Sequence, residues 1–206
     1  MDNITEDHTR PVETKGWRVV DIVVAAVLGV AVGLIFFAFN NTIAATAWGP
    51  LDAVLPGLAG LIAGVWFLGG PLGGLIIRKP GAALLVELLA ATVSVLPGNK
   101  WGITTLYSGL AQGIGAEIVF AIFAYKRWKL PVAAFAGIGA AVGAFVNEFI
   151  LGNYAKNLAY NATYLVCLMV SGAVLAGGLA WLLTRALASA GALNRFEAGN
   201  QARRAV

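Results

Sequence analysis

Charge, cysteine and histidine are all scarce in this sequence. Only 12% of the 206 residues are Asp, Glu, Lys or Arg, against roughly 25% in a soluble domain. A folded chain of this composition cannot tile its surface with charge for water. The single cysteine, Cys167, excludes an internal disulfide and a cysteine-based metal or redox centre. Lying within an apolar run, it reads as a small packed hydrophobe. The single histidine, His8, sits in a polar segment, so a histidine metal centre is not expected, and no serine, histidine and acid set can be assembled in the apolar runs. A Gly-x-x-x-x-Gly-Lys-Ser/Thr loop is also missing. The glycine-rich stretch Gly137-Ile138-Gly139-Ala140-Ala141-Val142-Gly143 has the wrong spacing and lies inside an apolar run. The chain is therefore read as non-catalytic, with no cofactor and no metal. The formal charge of +4 is spread between apolar runs and at the ends of the chain, which marks topology in a membrane and not a nucleic-acid surface.

Apolar sequence is what the chain has in abundance: 59% of its residues are hydrophobic and the mean hydropathy is +0.81. Runs near Val19 to Phe39, Leu51 to Ile77, Gly81 to Leu96, Ile103 to Tyr125, Pro131 to Leu151 and Tyr160 to Leu187 predict six helices, each close to the roughly 20 residues that cross a bilayer. The expected fold is all-α: a polytopic membrane protein with six transmembrane helices. Residues 18–189 form the membrane domain, flanked by an N-terminal tail, 1–17, and a C-terminal tail, 190–206. The second run contains Gly69-Gly70-Pro71, which predicts a kink or break. Ala45-Thr46-Ala47 imitates a signal-peptidase site, but the preceding run is longer than the roughly 7–15 residues of a signal core, so a retained first helix is expected.

The loops test this count independently. With the N-terminus inside, Arg10, Lys15, Arg18, Arg78, Lys79, Lys126, Arg127, Lys129, Arg185, Arg195, Arg203 and Arg204 all fall on the cytoplasmic side, leaving Lys100 and Lys156 outside. That partition follows the positive-inside bias and predicts both termini in the cytoplasm.

Small residues recur four apart, as helices that approach closely require. Gly109 and Gly113 in the fourth run and Gly139 and Gly143 in the fifth are expected to pack internally. Ala25, Gly29 and Gly33 in the first run could equally offer their stripe to another subunit.

Three carboxylates interrupt the apolar runs: Glu87, Glu117 and Glu148. An acidic side chain at the bilayer centre costs at least about 2.5 kcal/mol and is by default a functional-site candidate. Counted down from the outer ends, Glu148 lies near the external surface, Glu87 about halfway and Glu117 deeper, which predicts a column of negative charge open to the outside. No lysine or arginine lies at those depths, so a cationic or amine-bearing ligand would supply the partner. The outward loops carry Trp48, Trp101, Tyr154 and Tyr160 interleaved with Asn40, Asn41, Asn99, Asn153 and Asn157. Aromatic faces above carboxylates suit a flat cationic heterocycle, through stacking and cation–π attraction. Gln112 and Asn147 add neutral hydrogen-bonding capacity within the runs, open to a ligand or to a neighbouring helix. The same glutamates could instead relay protons, so a stand-alone proton-coupled transporter or channel for a cationic solute is the alternative.

Arg78-Lys79-Pro80-Gly81, Glu87 within Ala83–Ala91, Gly98-Asn99-Lys100-Trp101-Gly102 and Ser108–Glu117, taken in order, resemble the YkoE-type S components of energy-coupling factor transporters. The resemblance runs from about Trp17 to Tyr164. It implies a six-helix substrate-capture subunit, in the cytoplasmic membrane of a bacterium, that takes thiamine or its hydroxymethylpyrimidine precursor from outside. It also implies docking on a transmembrane coupling protein driven by two cytoplasmic ATPases. The family's Ala-xxx-Ala docking pattern on the first helix reads here as Ala25-xxx-Gly29-xxx-Gly33, a departure that keeps the small size.

Overall fold

The computed structural model describes residues 16–99, 101–194, 196, 198 and 199, and the described residues form helices and connecting turns with no strand among them. Arg10, Lys15, Lys100, Arg195, Arg203, Arg204, His8 and most of both expected tails lie outside the described residues. The helices run in the order α1 (Val19–Asn41), α2 (Ile43–Val54), a 3-10 stretch (Leu58–Phe67), α3 (Gly69–Ile77), α4 (Ala82–Val95), α5 (Thr104–Ile122), α6 (Leu130–Leu151), α7 (Leu158–Ser171), a π-helical stretch (Gly172–Gly178) and α8 (Leu179–Ser189). Among the described residues five helical stretches are long and apolar enough to cross a membrane: 19–41, 58–77, 104–122, 130–151 and 158–189. The remaining expected span is α4, 14 residues long. The short helix α2 was not foreseen. It occupies what reads as an outer loop.

The second run breaks where its donors are diverted. Gly64 gives its N–H to the Ser171 hydroxyl at 2.7 Å, Gly70 gives its N–H to Glu87, and Pro71 has none to give. A 3-10 stretch therefore leads into α3, whose nine residues are all buried. The π-helical stretch in the last span sits where backbones touch. A Cβ on Gly177 would lie 2.2 Å from the Ala133 carbonyl oxygen, and one on Gly137 would lie 1.9 Å from that of Gly172.

Glycine also sets the contact between α5 and α6, where a Cβ on Gly139 would meet the Gly115 carbonyl at 2.4 Å and one on Gly143 that of Ala111 at 2.1 Å. The stripe on α1 behaves in the same way, which corrects the expectation that it docks another subunit. Ala25, Gly29 and Gly33 are buried and face α4. A Cβ on Gly29 would lie 2.5 Å from Leu89 Cβ, and one on Gly33 would lie 2.7 Å from the Ala90 carbonyl oxygen. The small residues are needed to seat α1 on its own bundle, and the outer face of α1 carries Val23, Val27, Val30 and Leu34 instead.

One end of the bundle is basic, bearing Arg18, Lys79, Lys126, Arg127 and Lys129 by position in the chain. It is fastened by an acidic group the sequence reading passed over. Asp21, fully buried, accepts from the Arg18 backbone N–H at 2.8 Å and pairs with the Arg18 guanidinium at 2.8 Å and with Lys79 Nζ at 2.7 Å. Because Trp17 Nε1 also donates to the Pro80 carbonyl at 3.0 Å, the start of α1 is held to the turn between α3 and α4. Beyond α8, Leu193 and Phe196 are buried in the core, so the first part of the expected C-terminal tail packs on the bundle.

Candidate ligand-binding site

At the end of the bundle opposite the basic one, the C-terminal ends of α1, α4 and α6 and the N-terminal ends of α5 and α7 surround a cavity of about 490 Å³. That lies within the roughly 300–1,000 Å³ of small-molecule sites. Three tryptophans form a continuous aromatic wall. The Trp48 and Trp66 rings are 5.5 Å apart with planes at 40°, and Trp66 meets Trp101 edge-on at 5.5 Å. Each ring is positioned by a different device. Trp48 is carried on α2; Trp66 comes from the 3-10 stretch and donates from Nε1 to Asn40 Oδ1 at 2.7 Å. Trp101 sits on a turn that Asn99 closes by accepting from the backbone N–H groups of Trp101 at 3.0 Å and Gly102 at 2.8 Å. Tyr160 and Tyr164 stack at 5.6 Å, and Tyr164 meets Trp48 edge-on at 6.3 Å.

Of the residues expected at a ligand, Asn40, Trp48, Trp101, Gln112, Asn147 and Glu148 line this one cavity. The column of three carboxylates does not form. Among the described residues Glu148 is the carboxylate of the cavity wall, which it shares with Tyr164. Lys156 lines the same wall, with its ammonium 3.8 Å from the centre of the Tyr160 ring. Tyr154 is two-thirds exposed and lies outside the cavity, on the short turn Asn153–Ala155.

Glu87 and Glu117 are held elsewhere, and the physical reason is the same for both. The first N–H groups of a helix have no partner within it, and the helix dipole favours an anion there. Glu87, fully buried, accepts from Gly70 N–H at 2.6 Å and so caps α3. Glu117 accepts from the N–H groups of Gly81 at 2.7 Å, Ala83 at 3.0 Å and Leu84 at 3.3 Å, capping α4 near the basic end. The Tyr125 hydroxyl adds a fourth donor at 2.7 Å. Burial and the adjacent Glu117 push that hydroxyl up to about 12, so it keeps its proton. Backbone donors take the place of the cations absent at these depths.

The sequence reading missed Trp66, Tyr164, Ser94, Ser108 and Lys156 as lining residues. A tryptophan in mid-span needs a partner for its N–H, and that need could have singled out Trp66. Nothing in the spacing of Ser94 and Ser108 sets them apart from serines that bond their own helix.

A family model described as the permease component of an ABC-type cobalt transport system matches residues 20–143 of this chain. A protein of Bacillus subtilis (strain 168) named as an HMP/thiamine permease, YkoE, is 35% identical over 196 residues, covering 91% of this chain and 92% of that protein. The fold is similar to a crystal structure of an S-component of an ECF transporter, with a TM-score of 0.84 and 33% identity, covering 92% of this chain and 94% of the other.

Proposed function

We propose a function from a premise of kinship: the chain belongs to the family of permease components of ABC-type cobalt transport systems and, within it, to the YkoE-type S components of energy-coupling factor transporters. It is a multi-pass protein of the cell membrane and the non-catalytic, substrate-binding subunit of a vitamin importer. The cargo is thiamine or hydroxymethylpyrimidine, the moiety in the relative's name. The cavity opens to the outside and both termini lie in the cytoplasm. Transport is driven by a coupling protein in the membrane and two ATPases.

The observation that carries this reading is a cavity walled, among the described residues, by one carboxylate, Glu148, and by the rings of Trp48, Trp66 and Trp101. Aromatic faces stack on the pyrimidine, and Glu148 attracts the positive thiazolium ring. With Glu87 and Glu117 engaged as helix caps, the proton relay that a stand-alone transporter would require has lost two of its three members.

Detergent-solubilised protein should show quenching of tryptophan fluorescence on addition of thiamine or hydroxymethylpyrimidine, and a raised melting temperature, without nucleotide. If neither compound changes either signal, the ligand is wrong. Uptake into liposomes should need the coupling protein and the ATPases; ion-driven uptake by this chain alone would sink the reading as a subunit of that complex.

Lys156 gives a sharper test, because it places a positive charge in a site meant for a cation. Lys156→Met should tighten thiamine binding by about threefold to tenfold, up to 1.4 kcal/mol, and leave the neutral hydroxymethylpyrimidine within about twofold. Equal effects on the two compounds would separate Lys156 from the charged half of the ligand.

A further inference from the structure

The floor of the cavity, where α4 and α5 face the 3-10 stretch, has a polarity set from behind. Gln112 lines the cavity while 5% exposed, and the hydrogen-bond network assigns its amide one orientation. The nitrogen faces the Trp66 carbonyl oxygen at 3.0 Å and Glu87 Oε1 at 3.2 Å, while the oxygen accepts from the Ser108 hydroxyl at 2.7 Å. The Trp66 carbonyl can only accept. Glu87 is turned toward Gln112 by the Gly70 N–H that its other oxygen receives at 2.6 Å.

An amide nitrogen has two hydrogens and an amide oxygen two lone pairs. Both hydrogens of Gln112 are engaged by protein acceptors, so the capacity left for a ligand is a lone pair on its oxygen. Its neighbours agree in sign. The Ser108 hydrogen goes to Gln112, that of Ser94 to the Ala91 carbonyl at 2.8 Å, and that of Thr104 to the Trp101 carbonyl at 2.7 Å. Each of these hydroxyls can still accept.

We propose that Gln112 is the specificity-determining residue of the cavity floor and Glu87 its positioning residue, together presenting an acceptor face that selects a ligand bearing an exocyclic amino group over its oxo counterpart. An amino group completes the floor. An oxo group sets lone pair against lone pair, leaving buried acceptors unpaired, and a site built for a hydrogen bond discriminates strongly against the analogue that lacks the donor. The role of Glu87 is therefore indirect: it never meets the ligand but keeps the amide from turning. This inference rests on the thiamine reading above and adds which edge of the pyrimidine is read.

The test compares thiamine with its 4-oxo analogue, which keeps the same thiazolium charge, by fluorescence titration of the full chain in detergent. Wild type should prefer thiamine by at least about tenfold. Gln112→Met should bind thiamine at least about tenfold more weakly and bring the two ligands within about twofold. Glu87→Gln should still bind thiamine but lose at least about threefold of the preference, a change that a purely structural role would not produce. Equal binding of both compounds by wild type overturns the inference and leaves the thiamine reading standing. Full preference in either variant also overturns it. Binding of neither compound by wild type removes the thiamine reading and this inference with it. If Glu87→Gln does not fold, the wild-type ratio and Gln112→Met still decide.

Discussion

Alanine at Glu148 is expected to weaken thiamine binding by about thirtyfold to several thousandfold, the range that corresponds to losing one partner of a desolvated charge pair, about 2–5 kcal/mol. Glu148 is the carboxylate of the cavity among the described residues, and it shares the wall with Lys156 and Tyr164. Its removal leaves a cationic ligand facing an ammonium and three tryptophans, with nothing to balance the charge. Glu148→Gln should fall between wild type and alanine, because the amide keeps an acceptor and loses the charge, where a bond to a charged group contributes about 1.5–3 kcal/mol. Neutral hydroxymethylpyrimidine should be hurt less than thiamine by both changes. Isothermal titration of the two ligands against the two variants reads this directly. An unchanged thiamine affinity in Glu148→Ala would mean that the positive ring is bound somewhere other than beside this carboxylate.

That contrast among the three glutamates explains how far the sequence could be read. The apolar helices were legible because a bilayer imposes length and hydropathy on any segment that crosses it: among the described residues five stretches long and apolar enough to cross lie where the runs predict, and the shorter α4 lies where the third run does. Trp48, Trp101, Asn147 and Glu148 were legible as candidates because they stand at the ends of those runs, where depth alone decides what they can reach. Glu87 and Glu117 were misread for a definite reason. Their partners are main-chain N–H groups of Gly70, Gly81, Ala83 and Leu84, and a sequence does not display unpaired backbone donors as it displays lysines. The broken second run was the available clue. Gly69-Gly70-Pro71 signals a new helix start in mid-membrane, and every such start calls for an acceptor nearby. The stripe of Ala25, Gly29 and Gly33 failed in the same way, since spacing shows that a close approach exists and not which helix makes it.

If Glu117 is a cap, its loss should be felt in stability and scarcely at the ligand. Glu117→Ala strands the N–H groups of Gly81, Ala83 and Leu84 at the start of α4 and the Tyr125 hydroxyl. Loss of an N-cap costs about 0.5–2 kcal/mol, and each buried donor left unpaired costs about 1–3 kcal/mol. Glu117 is half-buried, near the basic end, so water can reach some of these groups and the sum is tempered to about 2–4 kcal/mol. At about 2–4 °C per kcal/mol for a chain of this size, the melting temperature in detergent should fall by roughly 5–15 °C. Glu117→Gln, which keeps one acceptor oxygen for α4, should fall by less. Thiamine affinity of the folded variant should stay within about threefold of wild type, because the cavity is walled at the other end of α5 by Thr104, Thr105 and Ser108. The opposite pattern, an unmoved melting temperature with binding abolished, would return Glu117 to the ligand and undo its assignment as the cap of α4.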